Sequence, residues 1–189
     1  MLPSWSGPNG VTALVPYGFL PALGADLFGG NFLGHRDSVA PEDGFARLAE
    51  DLGITFLRFP GGSVTETYYT LADPDLVTLI DPATGEPVTI VPFSDFMAFA
   101  ADQGLPVTIT LPTRDALTED RDGNGDRFAA IDAPLLRQFV TDAVSGVFGG
   151  ARIVAFEIGN EYWGAGRMSA VEYGRVSSEM AHILRETLD

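Results

Sequence analysis

The sequence contains neither cysteine nor lysine. Without cysteine there can be no disulfide, no thiolate nucleophile and no Cys-ligated zinc. All 11 basic residues are arginine, against 26 Asp and Glu, for a formal net charge of −15. A surface of that sign repels nucleic acid and anionic membranes, so neither is expected as a partner. A neutral ligand or a cation suits it better. No apolar run reaches the ~18 residues of a membrane span. The start, Met1-Leu2-Pro3-Ser4-Trp5, lacks the basic residues and apolar run of a secretory signal. A nucleotide-binding fingerprint is also missing. Gly29-Gly30-Asn31-Phe32-Leu33-Gly34 does not match the Gly-rich turn that links the first strand directly to the first helix of a dinucleotide fold.

What is present is the material of one domain. A length of 189 residues, 46% of them apolar and 20% charged, suffices for a sizeable core. Residues 1–23, rich in Pro and Gly, read as an irregular lead-in. A short strand over 25–32 is followed by a helix from Pro41-Glu42-Asp43 to about Leu52, ended by Gly53. Residues 54–59 read as a buried strand stopped by Pro60-Gly61-Gly62. A long loop then carries a hairpin around Asp81–Gly85. A helix capped near Ser94 runs to Gly104, and 107–111 is the next strand. The polar stretch 113–132 reads as a loop. Residues 133–147 form a helix with Leu136, Phe139, Val140 and Val144 at helical spacing. A strand over 152–158 precedes a last helix over 169–188, with its stripe at Val171, Val176, Met180 and Ile183.

Strand and helix alternate four times, which means parallel β-α units. An open doubly wound sheet and a (β/α)₈ barrel of the TIM type both satisfy that order. Polar residues collect just after the strands: Asn31 and His35, Arg58, Thr113 and Arg114, Asn160 and Glu161. Barrels gather strand ends at one mouth, where active sites sit, so the expectation is an α/β barrel represented by its first four units. Side chains alternate along a strand. Arg58 and Glu157 then both point inward, with Val154, Phe156 and Ile158 toward the helices. Buried charges survive when paired, so Arg58 is predicted to pair with Glu157, directly or through one neighbour.

Phe156-Glu157-Ile158-Gly159-Asn160-Glu161 with Tyr162-Trp163-Gly164 resembles the fourth-strand motif of the clan A retaining glycoside hydrolases. That clan includes α-L-arabinofuranosidases, β-xylosidases, β-glucuronidases and heparanase-like enzymes. Leu57-Arg58-Phe59-Pro60-Gly61-Gly62 resembles its second-strand motif, and Gly29-Gly30-Asn31-Phe32 the end of its first strand. The resemblance implies a TIM barrel, a carbohydrate substrate and no required cofactor. It implies Glu161 as general acid/base and Asn160 as holder of the sugar hydroxyl beside the reacting carbon. Arg58 would support them, and Trp163 would offer a platform to a sugar face. Tyr162, Asn31 and His35 are further substrate-contact candidates, against the plainer reading of rim packing. Retention needs two carboxyls ~5 Å apart. The clan carries its nucleophile on the seventh strand, so that residue is expected outside this chain, and the four units alone are expected to be inactive. Glu66 and Glu157 are the second carboxyls within reach of consideration. A carbohydrate- or calcium-binding module descended from such a barrel is the alternative.

Asp120-Arg121-Asp122-Gly123-Asn124-Gly125-Asp126 resembles the start of an EF-hand-type loop, with Asp120, Asp122, Asn124 and Asp126 as candidate calcium ligands. Its twelfth position is Ile131 rather than an acid, and the plain alternative is a solvated acidic turn. A polysaccharide substrate and an acidic, Cys-free chain suggest secretion, with the cytoplasm as the other possibility. His182 reads as structural, and Tyr68 and Tyr69 as rim or core aromatics.

Overall fold

The computed structural model describes residues 4–6, 12–14, 28–164 and 167–189, with side chains from residue 28 onward. It is a mixed α/β structure. Four parallel strands form one sheet: β3 (Gly29–Asn31), β4 (Phe56–Phe59), β7 (Val107–Leu111) and β10 (Ile153–Ile158), adjacent in that order. Five α-helices are described: α1 (Phe45–Asp51), α2 (Val64–Thr67), α3 (Phe93–Asp102), α4 (Ala133–Val144) and α5 (Ala170–Leu188). Strands β1 (Ser4–Ser6) and β2 (Thr12–Leu14) pair antiparallel, where the sequence suggested an irregular lead-in. Two three-residue strands are too short to show a periodic signal. The rest of the lead-in, and the 25–27 start of the expected first strand, lie outside the described residues.

One face of the sheet carries the core. Leu57, Phe59, Val107, Ile109 and Leu111 are fully buried against α3, α4 and α5. Phe59 stacks on Phe96 of α3 with ring centroids 4.4 Å apart. On α4 the stripe is Leu136, Phe139, Val140 and Ala143; on α5 it is Val176, Met180, Ile183 and Leu184. Val144 and Val171 fall outside these stripes and are half exposed.

The opposite face is less well covered: Thr110 is buried, Phe56 and Thr108 are part-exposed and Val154 is 46% exposed. Phe56, Thr108 and Val154 line a shallow concavity there. Val154 was expected to face the helices. A bulge after Ile153 moves it, because the register jumps from Ile153↔Val107 to Ala155↔Thr108. The extra residue turns Val154 outward, and the remaining stretch recovers its alternation. Phe156 and Ile158 do pack on the core.

Several boundaries differ from the sequence reading for local reasons. Gly44, in the left-handed region at φ 75°, separates a 3-10 turn at Pro41–Asp43 from α1. Helix α3 starts at Phe93, and Asp75 accepts from the Ser94 amide at 2.7 Å, so its cap comes from the preceding loop. Residues 113–132 are not all loop. They contain an antiparallel pair, β8 (Leu117–Arg121) and β9 (Arg127–Ala129). The hairpin around Asp81 forms as β5 (Thr78–Ile80) and β6 (Pro87–Thr89).

Candidate functional site

Parallel register sets the site. Asn31 lies opposite Arg58, Arg58 opposite Thr108, and Thr110 opposite Glu157. Strand β7 separates β4 from β10, so Arg58 must reach across it. Small side chains at Thr108 and Thr110 leave the path clear. Arg58 then grips Glu157 with two parallel bonds, Nε to Oε2 at 2.5 Å and Nη2 to Oε1 at 2.9 Å. Such a fork against a carboxylate is the strong form of ion pair. The same guanidinium donates to Asn31 Oδ1 and to Asn160 Oδ1, both at 3.1 Å. The predicted Arg58–Glu157 pair is therefore direct. One side chain draws together residues from three strand ends.

A second knot lies beside the first. Glu66, on the short helix α2 and only 2% exposed, accepts from the Thr113 amide and hydroxyl and from the Asn160 amide at 3.0 Å. It ties the chain after β4 to the ends of β7 and β10. Gly159 faces this knot: a Cβ there would stand 3.1 Å from Thr113 and 3.4 Å from Glu66. Gly61 has the same role on the other side, since a Cβ would come within 2.8 Å of Asn31 Oδ1. Sequence reasoning weighed Glu66 as a second catalytic carboxyl. Here Glu66 accepts from backbone and threonine donors, and Glu157 from Arg58.

Glu161 sits just past these knots. It is exposed, and among the described residues its carboxylate has no hydrogen bond or ion pair. Its φ of 46° makes it the one non-glycine residue in the left-handed region among those described. The chain on both sides is fixed. Gly159 donates to Leu111, Asn160 to Glu66, and Gly164 to the Glu161 carbonyl. Tyr173 of α5 donates to the Ile158 carbonyl at 2.8 Å and stacks on Tyr162, with centroids 3.8 Å apart and planes 4° apart. Burial chiefly, then Tyr162 and the carboxylates of Glu157 and Glu66, push the Tyr173 hydroxyl up from its usual range. Trp163 is 64% exposed and stands edge-on to Tyr162. The sequence reading missed Tyr173, whose helical position gave no sign of it.

His35 is not tied to this group. It lies near Tyr68, with its Nδ1 buried and unpartnered, and burial lowers its pKa. Tyr68 donates to Asp81, and His182 pairs with Glu186 on the surface of α5. Asp120 lies in β8, and Asp122, Asn124 and Asp126 lie at the turn between β8 and β9. There Asp122 accepts from the Asn124 and Asp126 amides and pairs with Arg175, whose guanidinium supplies the positive charge at that carboxylate. Asp126 accepts from Ser169 at 2.6 Å. Among the described residues no group of three or more His, Asp or Glu is placed to hold a metal ion.

Chemically, the rim offers one unpaired carboxylate on a rigid turn, an amide side chain oriented by a guanidinium, and an exposed indole. Searched against protein-family models and curated proteins, the chain matches none.

Proposed function

We propose that the chain is the first half of a (β/α)₈ barrel that hydrolyses glycosidic bonds with retention, using Glu161 as the acid/base. The observation that carries this reading is the Arg58 fork, which gathers Asn31, Glu157 and Asn160 at one end of a parallel sheet with Glu161 next in sequence. Active sites of parallel barrels form at that end of the strands. In the proposed mechanism Glu161 protonates the leaving oxygen and later draws a proton from water. Asn160 holds the neighbouring hydroxyl, and Trp163 receives a sugar face. Arg58 keeps Asn160 in place without touching the reacting atoms. The second carboxyl attacks the anomeric carbon. Glu66 and Glu157 are both occupied as acceptors, so the proposal places that nucleophile outside this chain. The rest of the barrel would complete the cover over Phe56, Thr108 and Val154, and would bury Glu161.

The same fact favours one other reading, a carbohydrate-binding module without catalysis, since no second free carboxylate stands at the rim among the described residues. Nitrophenyl glycosides offered to the whole gene product separate the two. The enzyme reading expects turnover that Glu161→Gln lowers by about 10²–10⁴-fold, the usual contribution of general acid–base catalysis. Turnover unchanged in Glu161→Gln removes Glu161 from the mechanism. Sugar binding without any turnover leaves the binding module.

A further inference from the structure

One arginine is held in a way that its charge does not explain. With 26 acidic residues against 11 arginines, carboxylate partners are plentiful. Among the described residues Arg36, Arg47, Arg152, Arg167 and Arg185 form no ion pair. Four of these are exposed, but Arg167 is half-buried. Its Nη2 donates to a neutral acceptor, the Thr67 hydroxyl, at 3.0 Å. Ordering a long side chain costs rotamer freedom, and no Coulombic attraction offsets that cost here.

What the bond fixes is the segment that follows β10. The Arg167 amide donates to the Gly164 carbonyl at 3.2 Å, and the Met168 amide returns to the Tyr162 carbonyl at 3.2 Å. The Arg167 carbonyl accepts from Arg127 of β9 at 2.5 Å. Thr67 ends α2, which follows β4. Arg167 therefore joins the segments that come after β4, β7 and β10. Trp163 lies between the two bonded carbonyls of Tyr162 and Gly164. Its indole is 64% exposed and meets Tyr162 edge-on, so packing alone holds it weakly. The backbone on either side decides where it points. Glu161 is steadied from the other direction, by the bonds of Ile158 with Tyr173, Gly159 with Leu111 and Asn160 with Glu66, none of which involves Arg167.

We propose that Arg167 is a positioning residue for the indole platform: it ties the Tyr162–Gly164 segment to α2 through Thr67 and so fixes Trp163, while proton transfer at Glu161 does not depend on it. The proposal rests on the reading that Trp163 receives a sugar face.

Three variants of the whole gene product test it. Thr67→Val removes the acceptor at nearly constant shape, Thr67→Ser keeps a hydroxyl, and Arg167→Met removes the donor. NMR relaxation of the Trp163 indole N–H, identified by its loss in Trp163→Phe, measures the tie without any substrate. Thr67→Val and Arg167→Met should both increase fast motion of the indole, and Thr67→Ser should match the wild type. On a nitrophenyl glycoside the same two variants should raise KM by about two- to tenfold, the worth of one hydrogen bond, with kcat and its pH profile unchanged. An indole that moves no more in Thr67→Val and Arg167→Met than in the wild type overturns the proposal. So does an indole set free while KM stays the same, or a fall in kcat alone. If the wild type turns over no glycoside, the glycosidase reading fails, and the indole measurement still decides whether Arg167 holds Trp163.

Discussion

Glu161 holds a backbone conformation that its side chain disfavours. A non-glycine residue at φ 46° costs about 1 kcal/mol or more, and the chain keeps it only because neighbouring bonds over-determine the turn. Four flanking contacts do so: those of Ile158 with Tyr173, Gly159 with Leu111, Asn160 with Glu66, and Gly164 with Glu161 itself. Strain maintained under an exposed, unpartnered carboxylate makes sense when the carboxylate is needed for work. Glycine takes the same φ without penalty. Glu161→Gly should therefore raise the free energy of unfolding by about 0.5–1 kcal/mol in urea denaturation. A loss of stability instead would mean that the Glu161 side chain has a structural contact, and would weaken its assignment as the proton donor.

At the scale of elements, Glu66 joins three segments: α2, the end of β7 and the end of β10. As a carboxylate it only accepts, and its partners at Thr113 and Asn160 are donors. Glutamine would turn an amide N–H₂ toward one of them and leave a buried amide unpaired. Glu66→Gln should cost about 1–3 kcal/mol and speed hydrogen exchange at the Thr113 and Asn160 amides while leaving α3 protected. Arg58 works on the same rim from the other side. Lys has the charge but not the fork, so Arg58→Lys should lose the hold on Asn31 and Asn160 and loosen Asn160, measured as increased backbone mobility at 159–161.

These two knots also show how far the letters alone could go. Alternation along β4 and β10 was enough to predict the Arg58–Glu157 pair, because both strands keep a period of two near their ends. The same rule failed at Val154, where a bulge inserts one residue and no glycine or proline announces it. The alternation of four parallel strands with helices was legible from apolar periodicity. The hairpin β8–β9 was not, because only Leu117 and Ala129 at its base pack on the core, too few for a periodic signal, and the rest is polar and held by its own pairing and by Arg175. Glu66 could be marked as a carboxyl near the mouth. Its role depends on amides brought from 47 and 94 residues away, which no local pattern encodes.

Across the whole molecule, acid has two opposed effects. The chain carries a net charge of −15 near neutrality, so protonating surface carboxylates relieves self-repulsion. Glu172 works the other way. It is 3% exposed, closes the capping box of α5 with Ser169, and accepts from Arg127 through the backbone amide, Nε and Nη2. The Arg127 hydrogen bonds are the chief cause that holds its pKa at about 2 rather than 4.5. A carboxylate lowered in the folded state contributes its stability above the unfolded pKa and loses it as the pH falls toward the folded one. The window here therefore runs from about pH 4.5 down to about pH 2, and the contribution is about 3 kcal/mol at full ionisation. Comparison with Glu172→Gln isolates this effect from the surface charge, which both proteins share. Denaturant midpoints should separate the two proteins by an amount that is constant from pH 7 to about pH 5 and then shrinks toward zero near pH 2. A gap that stays constant through acid would mean that the β8–β9 hairpin and α5 are joined by packing, and that the buried Arg127–Glu172 pair contributes nothing of its own.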